Sequence, residues 1–140
     1  GKIKTPDSIL LKPRKLSPDE YLEMMHHVEY GASILSRAPS LVKYIPSTRH
    51  HHEWHNGKGY PDGLAGDDIP LFAAIISISD TFDAMTSDRP YRAALSTKEA
   101  LCEITRMSGI QFRPELVVVF IDLMEKQNVR SASLSAVKAI

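Results

Sequence analysis

Four glycines and a proline fall within the eleven residues 56–66, NGKGYPDGLAG. Glycine weakens helices and strands alike, and proline removes a backbone donor, so no regular element runs through this stretch. It reads as a loop of its own, and a glycine-rich loop this long inside a compact domain tends to be functional. Whatever precedes it is delivered to a fixed place where the chain turns.

Directly before the loop stands His50-His51-His52-Glu53-Trp54-His55, four imidazoles in six residues. Neutral imidazole offers a lone pair near neutral pH without burying a charge, which makes such a cluster a metal-site signal. The zinc-protease arrangement HExxH does not fit. After His52-Glu53 the second histidine would be needed four residues along the same helical face, where Asn56 and Gly57 stand.

The flanking segments read as helices. Ser17-Pro18-Asp19-Glu20 combines an N-cap serine, a proline at the first helical position and a capping-box glutamate, which predicts a helix over 17–37. Pro39 and Pro46 then break the chain into a short helical piece over 41–45 and another that carries the histidines to about Glu53. Pro70 opens a strongly apolar helix to about Ala84, whose run LFAAIISIS predicts burial on more than one face. A second capping box, Ser96 to Glu99, starts a helix to about Met107, and Pro114 starts another to Lys126. With no alternating strand pattern, the expected fold class is all-α.

Within the apolar helix, Asp80 is the residue that asks for an explanation, because a carboxylate buried there needs a cation or strong donors. His26 and His27 on the first helix gain weight only in company. Asp88-Arg89-Pro90-Tyr91-Arg92 sets two guanidinium forks around a proline and an aromatic, a pattern suited to phosphate and base contacts.

Basic and acidic residues balance at 17 each, so no overall field draws the chain to a nucleic-acid polymer. The longest apolar run, 71–78, is far short of the ~20 residues of a membrane span. The single cysteine, Cys102, permits no internal disulfide and reads as a small buried hydrophobe in a reducing, cytoplasmic setting.

Taken in order, HHEWHNGKGYPDGL, IPLFAAIISISDTFDAMTSDRPYR and GIQFRPELV resemble the HD-GYP family of cyclic di-GMP phosphodiesterases. Gly59-Tyr60-Pro61 matches its signature, and Gly1-Lys2 resembles the end of its HD-x-GK motif, which places the His-Asp pair and the N-terminal helices of the bundle before Gly1. The resemblance implies a helical bundle of the HD superfamily, with residues 1–127 as a partial domain and 128–140 as a tail or short helix. It implies a site of two or three divalent ions, iron or manganese, with His27, His51, His52 and Asp80 as ligands. Lys2 would face the scissile phosphate, and Tyr60, Arg89 and Arg92 would hold the substrate.

The implied activity is hydrolysis of cyclic di-GMP to pGpG or GMP, impaired in this chain by the missing ligands. The alternative is a non-catalytic module that senses nucleotide or docks a diguanylate cyclase or adaptor through the Gly-Tyr-Pro loop. Two positions depart from the family pattern. Arg113 stands where aspartate is usual, removing an N-cap before Pro114 at a cost of ~1 kcal/mol, and Asn56 replaces another aspartate.

Overall fold

The computed structural model describes residues 1–88 and 93–137, with side chains to 127. Every regular element among them is helical, and strand pairing is limited to the isolated bridges Asn56 with Ala65 and Ser108 with Phe112. The helices are α1 (Asp7–Leu10), α2 (Pro18–Met25), α3 (His27–Leu35), α4 (Ile45–His50), α5 (Leu71–Thr86), α6 (Thr97–Arg106) and α7 (Pro114–Val137). Short 3-10 turns occupy Lys2–Lys4, Pro39–Tyr44 and Gly66–Asp68.

Both capping boxes form. Ser17 Oγ accepts from Glu20 N at 3.3 Å while Ser17 N donates to Glu20 Oε2 at 2.7 Å. Ser96 and Glu99 repeat the exchange at 3.3 and 2.9 Å. Orphan amides at two helix starts are thereby satisfied by local sequence alone.

Several expectations need correction. The helix expected over 17–37 is two helices, α2 and α3, divided at His26, whose amide bonds back only three residues to Glu23 O at 3.3 Å. At that junction the His27 ring donates from Nδ1 to Met24 O at 2.8 Å, so a side chain takes up a carbonyl where the helical ladder is interrupted. α4 ends at His50, so His51 and His52 sit in the turn that follows it, closed by Glu53 N donating to His50 O at 3.0 Å.

α5 buries one face only: Ala73, Ala74, Ser77, Ile78 and Met85 are buried, whereas Leu71, Phe72, Ile75 and Ile76 are exposed. Asp80 belongs to the exposed face, so no buried-charge cost demands a cation. Cys102 is likewise exposed, because α6 turns Ala100 and Ile104 into the core instead.

The main core joins α5, α6 and α7 through Ile78, Met85, Ala100, Ile104, Phe112 and Val117, with Phe82 and Phe120 edge-to-face at 5.4 Å. A second cluster, Ile69, Ala73 and Ala74, receives Leu64 from the glycine-rich loop. α4 packs between α3 and α5, so the histidine turn lies at the meeting of three helices. Among the described residues no helix is long and apolar enough to cross a membrane.

Ile104 is fully buried in the α5, α6 and α7 core. Ile104→Ala is therefore expected to lower unfolding stability by about 2–5 kcal/mol in urea titrations. Leu123→Ala, on a half-exposed surface, should stay within about 0.5 kcal/mol.

Candidate metal centre

Three imidazoles from two segments converge. One ring nitrogen each of His27, His51 and His52 can be chosen so that all lie within 4.8 Å of one another. The rings of His27 stand 5.4 Å from His51 and 5.0 Å from His52, edge-on, and His51 and His52 lie 4.2 Å apart. His27 Nε2 and His51 Nε2 approach to 3.5 Å.

Two backbone carbonyls orient these rings. His27 Nδ1 donates to Met24 O at 2.8 Å and His51 Nδ1 to Thr48 O at 2.7 Å, each to the residue three places earlier. With the proton held on Nδ1, the Nε2 lone pair faces the common point, the arrangement that tunes and aims histidine ligands in metal sites. Burial keeps the rings neutral. Desolvation lowers the pKa of His27 and His51 and brings that of His52 from 6.5 to about 3, helped by the neighbouring histidines. Neutral, converging nitrogen donors with tied tautomers fit a divalent metal ion.

The N-terminal turn closes one side of this point. A Cβ on Gly1 would lie 1.6 Å from His27 O, so only glycine lets the chain cross α3 there. Lys2 follows, exposed, and its ammonium charge is felt at all three rings, where it disfavours protonation.

The glycine-rich loop lies against the histidine segment. A Cβ on Gly59 would fall 2.2 Å from Trp54 N and 2.5 Å from His52 O, so the loop backbone rests directly on the histidine segment. The next residue, Tyr60, stacks its ring on His52 at 4.9 Å and 23°, and its amide donates to His52 O at 3.2 Å. Burial pushes the Tyr60 phenol up, so it stays a protonated donor at any ordinary pH. The Tyr60-Pro61 peptide is cis.

Of the residues expected at the site, the structure thus brings together His27, His51, His52, Tyr60 and Lys2. Asp80 is outside the three-histidine cluster, although its charge favours protonated His51 and raises the Tyr60 phenol further. Arg89 and Arg92 lie outside the described residues. Two of the other histidines have structural partners: His50 Nε2 bonds Asp62 Oδ2 at 2.9 Å and its Nδ1 bonds Pro46 O at 2.9 Å, and His26 Nδ1 pairs with Glu29 Oε2 at 3.0 Å, whereas His55 Nδ1 is buried without a hydrogen-bond partner among the described residues.

Sequence reasoning missed the framework around the loop. Arg49 grips Asp62 with two hydrogen bonds of 2.9 and 2.8 Å, and this fork holds the Asp62 carboxyl down at about 2. Glu53 is buried beside them. Arg113, expected only to remove a cap, instead donates to Gly66 O at 3.1 Å and Ile69 O at 3.2 Å, fastening the loop's exit. Asn56 Oδ1 accepts from Lys58 N at 3.0 Å, a local turn that needs no carboxylate. Pairings at these separations leave no periodic trace in a single sequence.

A helical domain with a three-imidazole cluster beside a glycine-rich loop defines an all-α protein with a histidine cluster that could hold a metal ion. The chain belongs to the HD domain family, whose sequence profile matches residues 1–116. It is 42% identical over 126 residues to a cyclic di-GMP phosphodiesterase of Thermotoga maritima, covering 88% of this chain and 34% of that one. It is also 42% identical over 119 residues to a cyclic di-GMP phosphodiesterase response regulator of Xanthomonas campestris, covering 84% and 32%. A 3'3'-cGAMP-specific phosphodiesterase of Vibrio cholerae is 40% identical over 126 residues, with 87% and 24% covered.

The crystal structure of a cyclic GMP-AMP specific phosphodiesterase of Vibrio cholerae superposes with a TM-score of 0.65 at 29% identity, over 79% of this chain and 25% of that one. The resemblance carried by the motifs is borne out, as is the all-α HD fold. The chain spans about a third or less of the length of the curated relatives named here.

The depressed pKa of His52 sets a pH dependence for the metal-free protein. An unfolded imidazole takes up its proton below 6.5, whereas folded His52 resists protonation down to about 3. In that window the unfolded chain binds more protons, so stability falls as pH is lowered through it. Urea unfolding at pH about 5 and about 7 should show this loss in the wild type and a smaller one in His52→Gln.

Proposed function

We propose that this chain forms the metal-holding part of a phosphodiesterase that hydrolyses cyclic di-GMP to pGpG or GMP. The observation that carries this reading is the convergence of the His27, His51 and His52 ring nitrogens within 4.8 Å of one another, with Tyr60 stacked on His52 and the Lys2 charge felt there. The relatives named for cyclic di-GMP hydrolysis support it.

Divalent ions, two or three in number and iron or manganese by the resemblance, would supply Lewis acidity and activation of water at this point. His27, His51 and His52 would hold them, the first two through nitrogens whose tautomer the Met24 and Thr48 carbonyls fix. Asp80, on the exposed face of α5, would complete the set from the solvent side. Lys2 would neutralise charge on the phosphoryl oxygens. Tyr60, kept protonated by burial, would donate to the substrate, and Arg89 and Arg92 would fork onto the second phosphate of the dinucleotide.

The exposed outer edge of the loop, with Lys58 and Asp62, is where a diguanylate cyclase or adaptor would dock, and a cytoplasmic setting follows from a nucleotide substrate. A purely sensing module has no need of neutral, converging imidazoles, so hydrolysis is the preferred reading.

Turnover of cyclic di-GMP by the full-length protein containing this chain, loaded anaerobically with iron or manganese, tests the proposal. We expect turnover that His51→Ala or His52→Ala abolishes, with Lys2→Met lowering kcat by roughly 100-fold at unchanged metal content. Full metal loading without turnover of cyclic di-GMP would overturn it, and preferential turnover of 3'3'-cGAMP would reassign the substrate to that of the second group of relatives.

A further inference from the structure

Glu53 is 1% exposed, among the most deeply buried side chains of the molecule, yet it is neither one of the converging imidazoles nor a substrate-facing group. Its carboxylate is committed to the loop: Oε1 accepts from Asp62 N at 2.7 Å and Oε2 from Leu64 N at 3.1 Å. A buried carboxylate is tolerated only when strong donors replace its water, and here both oxygens are met by amides of a single loop. Water could satisfy the same amides at an exposed loop without burying a charge. What water cannot do is fix distance and direction.

The distance that matters is short. Glu53 directly follows His52, and Asp62 comes two residues after Tyr60, so the carboxylate ties the backbone carrying one member of the histidine cluster to the backbone carrying the ring stacked on it. The direct link between these residues is the long Tyr60 N to His52 O bond of 3.2 Å. From outside, Arg49 and His50 hold the Asp62 side chain at 2.8 to 2.9 Å. Loss of the Glu53 carboxylate would therefore leave the loop attached at its rim and loose beneath, where Tyr60 meets His52.

We propose that Glu53 is a positioning residue that sets the Tyr60 ring against His52 and thereby aims His52 at the metal point. The inference rests on the metal reading of the three histidines and adds to it the part that fixes their geometry. Glu53→Gln is the mildest test, since the amide keeps the volume and one acceptor but turns an NH2 toward an amide N–H.

In the metal-free chain, the His52 ring protons are shifted by the stacked Tyr60 ring, and Tyr60→Leu gives the unstacked reference. Zinc affinity by calorimetry gives the second readout, and Ile104→Val, a variant of the α5, α6 and α7 core, serves as the destabilised control. We expect Glu53→Gln to move the His52 ring protons to the Tyr60→Leu value and to weaken zinc binding by about 10–100-fold, while Ile104→Val moves neither. Unchanged ring shifts and zinc affinity in a less stable Glu53→Gln would overturn the proposal.

Should the variant not fold, hydrogen exchange of the wild type decides. The Asp62 and Leu64 amides are expected to be strongly protected, and exchange at the rate of an unstructured chain would refute the anchor. A wild type that binds no zinc would count against the metal reading, while movement of the His52 ring protons in Glu53→Gln to the Tyr60→Leu value would still support the Glu53 anchor.

Discussion

An imidazole presents a lone pair in a fixed direction only when its other nitrogen holds the proton, and the site depends on this condition being met twice by backbone carbonyls. Met24 O and Thr48 O each receive an Nδ1–H from the histidine three residues on. Both bonds require the chain to turn tightly at that place. The break between α2 and α3 and the early end of α4 supply the two turns. Irregularities that look like defects in helix continuity are thus what aims His27 and His51 at the same point. The packing of α4 between α3 and α5 then brings the two turns face to face.

The loop depends on the same region. Gly59 lets the backbone descend onto the histidine segment, Tyr60 covers His52, and Leu64 enters the second apolar cluster. Its stations are held by charge: Glu53 from below, Arg49 and His50 from the side, Arg113 at the exit. A loop of this composition has high conformational entropy when free. Several charge-assisted bonds to fixed helices are the physical means of giving it one shape.

Much of this was legible in the residues themselves. The helical class, both capping boxes, the loop and the His51-His52 pair depend on local patterns of a few positions, and the motifs pointed to the HD family. What was not legible depends on which face of an element meets its neighbour. The apolar run of α5 suggested burial on more than one face, yet Phe72, Ile75, Ile76 and Asp80 are exposed, because the core needs only the Ala73, Ala74, Ser77 and Ile78 side of the helix. The division at His26 carries no proline or glycine to announce it. Glu53 looked like part of a histidine run and proved to be a loop anchor, since its partners lie nine and eleven residues away across an irregular segment.

The central claim is that His27, His51 and His52 together hold metal, and X-ray absorption spectroscopy of the manganese-loaded chain tests it most directly. Three imidazole nitrogens in the metal's coordination sphere, reduced to two in His27→Ala, is the result the geometry predicts. A coordination sphere of oxygen alone, or one that His27→Ala leaves unchanged, would contradict it.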